Sequence, residues 1–353
     1  MDPDDAQLRR EKRRRLLTFA LRAAVLAAIL TYAAAFWAGT DWAHHPTQVG
    51  TDASNYYAAG QRLNDGHQLY HLGPGDLEVP MIPPYAFTPL VSPPPIAVFW
   101  RLPALLPRDL ALVAWWLTMI VLIAATTFWM TGLGSIPLTL ATLVLGTEIV
   151  ITGYSANINC FLLPATAAIW LAYRSGRSAT VGVLLAVAVA VKVMPIVLVL
   201  WLLVGRRWRD LGWFAAAGVA IAVMSLAGAG LQAHFDWLGV VRSTNADGIA
   251  PFSLAGWALR FGLPAQSVSL VLPAALLAGL ALIVVSRGRP GLAFSVAIVT
   301  AVVANPAIHD GSFTMLLPAL LPLAVPLARS ASPGIGDVVV RTESCLDAPA
   351  TAR

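Results

Sequence analysis

The sequence predicts an all-α polytopic membrane protein with about ten spans. Three observations lead there. The 353-residue chain is 58% hydrophobic and 12% charged, with a mean hydropathy of +0.72. No soluble domain of this length has that composition. Its apolar residues fall in long runs separated by short polar breaks, and its Lys and Arg gather at the ends of those runs. A pI near 9.6 therefore reads as a topology signal and not as a nucleic-acid footprint.

The expected spans are 16–38, 109–131, 136–152, 160–173, 179–191, 194–204, 211–230, 265–285, 291–304 and 312–329. The first follows the basic segment of residues 9–15 and lacks a small-residue cleavage site. It reads as a retained span. Residues 1–15 then form a cytoplasmic N-terminus, and residues 16–329 form one integral membrane unit. Residues 330–353 form a polar cytoplasmic tail of disordered composition. Alternation places the basic clusters around Arg174, Arg206 and Arg287 on the cytoplasmic side, with all six histidines outside. Two outer loops follow, 39–108 and 231–263. The first carries an amphipathic helix near Asp52–Leu63, a proline-rich stretch at 83–95 and an interfacial helix near Ile96–Leu106. Cys160 and Cys345 fall on opposite sides, so no disulfide joins them.

Lys192 is the most unusual residue. It stands alone in the apolar stretch Ala179–Leu203, whose two flanks are both basic. If both flanks are cytoplasmic, the stretch must enter the membrane and return, with Lys192 and Pro195 at its turn. Each arm has about 12 residues and reaches roughly 18 Å, too short for a hydrocarbon core of about 30 Å. A charge at such a tip must be shielded by protein or line a wet cavity. It suits an anionic group such as a phosphate; the plain alternative is a snorkelling lysine.

Four other places carry chemistry. Asp52 sits just past the first span, before a pair of tyrosines. It suits a general base on a sugar hydroxyl, and it equally suits a helix N-cap. Asn157 and Asn159 lie in a loop between two short spans. They suit sugar hydrogen bonds or a self-satisfied turn. His309 and Asp310 share a short loop between the last two spans, as a base with its orienter, a phosphate contact, or a polar turn. His67 and His71 have the spacing of helical metal ligands, but Gly66 and Gly73 bracket them, and no metal is expected. There is no GxGxxG, Walker, HExxH or GxSxG motif.

Several segments, in order, resemble glycosyltransferase family 87, the polyprenol-phosphate-mannose-dependent membrane mannosyltransferases with a GT-C fold. Residues 52–70 resemble an Asp-x-x-x-Tyr-Tyr-x-Ala-Gly block. Residues 83–96 resemble a Tyr-Pro-Pro segment, and 154–163 resemble a Gly-Gln-x-Asn-x-x-Leu-Leu block. Residues 190–203 resemble a Lys-x-x-Pro hairpin, and 305–310 lie where a histidine loop is expected. The resemblance implies a GT-C-like bundle with short broken hairpins. It implies an inverting transfer of a sugar from a polyprenyl-phosphate co-substrate to a cell-envelope glycolipid or glycan. The usual sugar is mannose, and some members transfer arabinofuranose. Asp52 would be the base, Lys192 and His309 would meet the donor phosphate, and Tyr56, Tyr57, Asn157 and Asn159 would contact substrate. No cofactor is implied, and the partners are the bilayer, the donor and the acceptor. The active site would face outward, with both termini cytoplasmic. One departure is Ser155–Ala156 in place of Gly-Gln. The competing reading is a transporter or flippase of a lipid-linked sugar, built from similar broken spans.

Overall fold

The computed structural model describes residues 3–39, 50–77, 79, 90–247, 252–306, 308 and 311–325. Among these residues every regular element is helical. The expected tail, 330–353, lies outside them.

Helix α1 spans Pro3–Gly39, α2 Thr51–Asn64 and α3 Pro94–Trp100. Helix α4 spans Arg108–Gly132, and α5 (Ile136–Val144) and α6 (Gly146–Tyr154) follow it. Helices α7 (Asn159–Arg174), α8 (Ser178–Val191) and α9 (Val197–Val204) form a short-armed group. Helix α10 covers Trp208–Asp247, α11 Leu254–Arg260, α12 Ala265–Val285, α13 Pro290–Val303 and α14 Leu321–Ala324. A 3-10 helix, Ser312–Leu320, precedes α14.

The expected ten spans resolve differently. Four helices are long and apolar enough to cross a membrane, and a fifth crossing arises if α5 and α6 count as one span bent by 58°. The remaining apolar runs form helices of 14 residues or fewer or, in α7, 16 residues. At 1.5 Å per residue such helices reach at most about 24 Å. The apolar character of the long helices faces outward. On α4, Leu110, Val113, Leu117, Val121 and Phe128 are more than half exposed, while Met119, Ile123 and Met130 are buried. That stripe has the helical spacing of a lipid-facing surface.

The segment 231–263, expected as an outer loop, is largely helical: a second helical stretch runs on to Asp247, and α11 follows. Gly230, at φ 77° and ψ 164°, is non-helical and kinks the chain where the expected span 211–230 ends. The left-handed backbone at that point is open to glycine.

The segment around Lys192 goes out and comes back. Tyr173, at the end of α7, packs on Trp201 of α9 with ring centroids 4.5 Å apart. The Arg207 guanidinium lies over the same Tyr173 ring at 4.4 Å. Both ends of the stretch between Arg174 and Arg207 therefore meet at one level. Gly182 makes this packing possible. A Cβ there would stand 2.4 Å from the Asp210 carbonyl oxygen, so α8 seats directly on the start of α10. Asp210 is fully buried and accepts from Arg207 Nε at 2.9 Å. Trp170, Trp201 and Phe294 complete a fully buried aromatic core at this end. Lys192 closes the opposite end of α8, in extended conformation.

Candidate active site

The start of α2, the α6–α7 loop and the tip after α8 converge. Gly50, at φ 66°, occupies the N-cap position of α2, so Asp52 is not the cap that its sequence context allowed. Asp52 sits in the first turn instead, where the positive helix end favours a carboxylate. The Gly50 amide donates to the Tyr154 carbonyl at 3.3 Å and so ties α2 to the end of α6.

Residues 153–159 form a tight loop held by α4. Trp116 Nε1 donates to the Tyr154 carbonyl at 3.2 Å, and Trp115 Nε1 donates to the Ala156 carbonyl at 3.1 Å. From this loop Asn157 Nδ2 donates to Asp52 Oδ2. Asn157 Oδ1 accepts from the Asn159 amide at 2.9 Å. Asn159, fully buried, accepts from Lys192 Nζ through its Oδ1 at 3.1 Å. Carboxylate, two amides and ammonium thus form one hydrogen-bonded string. Asn157 closes its own turn, as one sequence reading expected, and it also contacts the Asp52 carboxylate.

The other predicted residues stand differently. Tyr56 and Tyr57 are buried in the packing of α2. Tyr56 lies against Trp100 and Trp115, and Tyr57 donates its hydroxyl to the Leu106 carbonyl at 3.0 Å. Burial pushes the Tyr56 phenol well above its ordinary pKa, and the negative charge of Asp52 adds to the effect. His309 lies outside the described residues, as does Asp310. Their neighbour Gly311 donates its amide to the Glu148 carboxylate. A Cβ at 311 would stand 2.2 Å from Thr152 Oγ1. The segment after His309 therefore docks on α6, which leads into the Asn157 loop.

Sequence reasoning missed three contacts. Glu148 anchors the Gly311 turn, and Asn305 Nδ2 approaches Met194 Sδ beside the Lys192 tip at 3.8 Å. Farther out, His67 Nδ1 pairs with Asp76 Oδ1 at 2.6 Å, so this histidine has a carboxylate partner. Among the described residues no group of His, Cys, Asp and Glu gathers with the geometry of a metal site.

Residues 91–307 match the family model for glycosyltransferase family 87. The chain belongs to that family. It is a membrane glycosyltransferase. No curated protein and no solved structure matches it. The family match includes Asn157, Asn159 and Lys192; Asp52 and His309 lie beyond its two ends.

Ala156, just before Asn157, has φ 51°, a left-handed conformation that favours glycine. The loop holds this backbone where Asn157 turns to contact Asp52.

Proposed function

We propose that this family 87 enzyme transfers a sugar, mannose in the first instance, from a polyprenyl-phosphate donor to a glycolipid or glycan of the cell envelope. Asp52 takes the proton of the acceptor hydroxyl as its oxygen attacks the anomeric carbon. The bond from that carbon to the phosphate oxygen breaks on the opposite face, and its electron pair leaves with the polyprenyl phosphate. The anomeric centre inverts. Lys192 meets the phosphate charge as it develops, a form of stabilisation that commonly dominates catalysis. His309 assists there. The reaction takes place at the outer face of the cell membrane, with both termini cytoplasmic.

One observation carries this reading: the string Asp52–Asn157–Asn159–Lys192 joins an acid and a cation through two amides. Asp52 and Lys192 carry opposite charges at the two ends of that string, as groups working at one site would. A base and an anion-binding group set near each other are what an attacking hydroxyl and a phosphate leaving group require. The placement of Lys192 on a short re-entrant tip suits a donor that arrives from the lipid phase.

Purified protein offered polyprenyl-phosphate-mannose and nucleotide-linked mannose tests the donor class. The expected outcome is transfer from the lipid donor alone, with inverted anomeric configuration. Transfer from the nucleotide sugar alone would reject the reading.

A further inference from the structure

A second feature lies away from this site. Arg22 interrupts the apolar part of α1, yet among the described residues no carboxylate pairs with it. An intramembrane cation needs a partner or a route to the interface. The Arg22 guanidinium lies over the Phe128 ring at 3.9 Å, and Arg22 donates to the Phe128 carbonyl at 3.4 Å. Arginine carries five N–H donors, so these contacts leave capacity for another acceptor.

The same guanidinium closes one end of a groove of about 330 Å³ between α1, α4 and α6. Val25, Ile29, Ile120, Ile123, Ala124 and Val150 form its apolar walls. The groove ends at Tyr154, next to the loop that bears Asn157. Arg22 is at the other end, beside Gly132 and the turn leaving α4; a Cβ at 132 would lie 3.4 Å from Arg22 Cζ. That end of a membrane-crossing helix is headgroup depth. Trp116 and Phe128, which mark the two ends on α4, are about 18 Å apart along the helix. A phosphate bound at Arg22 is therefore in the opposite half of the membrane from Lys192. The molecule that fits is not the sugar donor of the site above.

We propose that this groove binds one acyl chain of an anionic phospholipid of the bilayer, with the lipid phosphate on Arg22. Charge complementarity supports this occupant. The basic segment of residues 9–15 forms the part of α1 just before its apolar stretch, at the same end, and such juxtamembrane clusters concentrate anionic lipids. The bound chain would cover α1, whose apolar window is only 6% buried within the protein, and press it against α4 and α6. Because α6 leads into the Asn157 loop, the lipid would brace the helix that positions that loop. This proposal does not depend on the identity of the sugar donor.

Native mass spectrometry of protein released from phosphatidylcholine nanodiscs containing some phosphatidylglycerol tests it. Wild-type protein should retain one phosphatidylglycerol in preference to phosphatidylcholine. Arg22→Gln should lower that retention by about tenfold, the scale of one lost charge-assisted contact. Ala124→Trp, which fills the groove and keeps the cation, should also lower it. Equal retention of the two lipids by wild-type protein overturns the proposal, whatever the variants do. Unchanged retention in both variants overturns it as well. Recovery of an isoprenyl phosphate whose retention depends on Arg22 would give the groove to the donor and also overturn it.

Discussion

Asn157→Ala separates a positioning role from direct contact with substrate. The change removes two hydrogen bonds, the Nδ2 donation to the Asp52 carboxylate and the acceptance of the Asn159 amide at 2.9 Å. A hydrogen bond to a charged group is worth about 1.5–3 kcal/mol. If that energy fixes the carboxylate for proton transfer, kcat should fall by about 10- to 150-fold. The contact of Lys192 with Asn159 Oδ1 survives the change, so KM for the donor should stay within about twofold. The assay is transfer from a polyprenyl-phosphate sugar by purified protein, with kcat and KM measured separately. Unchanged kcat would refute the positioning argument. A raised KM at constant kcat would also refute it and would make Asn157 a substrate ligand.

Three further outcomes follow from the geometry. Asp76 loses some solvation, which opposes ionisation, but the Gly73 amide and His67 together pull its pKa below the ordinary carboxylate value. A depressed folded pKa stabilises the protein above the unfolded value and is lost as pH falls through the folded one. Wild type should therefore melt above Asp76→Asn at pH 7, with the gap closing below about pH 4; a gap independent of pH contradicts this. Gly182→Leu drives a side chain into the Asp210 and Phe214 backbone and should destabilise by at least about 3 kcal/mol, the upper range of overpacking, as read from thermal melts. Ala156→Gly should stay within about 1 kcal/mol of wild type, because relief of the left-handed backbone offsets the added chain entropy. Ala156→Val should lose clearly more in the same melts.

Much of this architecture was legible because it is written locally. The helix near Asp52–Leu63 appears as α2, because its small and aromatic residues have helical spacing. The path around Lys192 was legible from charge, since two basic flanks constrain an apolar run. The span count was less legible. Hydropathy sees the apolar run 179–191 but not that α8 lies against α10 along a glycine contact, where no lipid-spanning length is needed. In 231–263 the break at Gly230 was legible, but the helix beyond it was not, because His234 and Asp236 look like loop residues. In the folded chain His234 bonds to Ser225 and to the Gly230 carbonyl, and so bridges the kink. The candidate site was legible as separate residues only. Asp52 and Asn157 are 105 positions apart, and Asn159 and Lys192 are 33 apart; no local pattern records those pairings.

The central claim is that Asp52 is the base of this transferase. Its most direct test is transfer from polyprenyl-phosphate-mannose by purified Asp52→Asn protein whose melting and membrane insertion match wild type. Asparagine keeps the shape and removes the proton acceptor, so transfer should be lost while donor binding persists. Near-normal transfer by that variant would contradict the assignment.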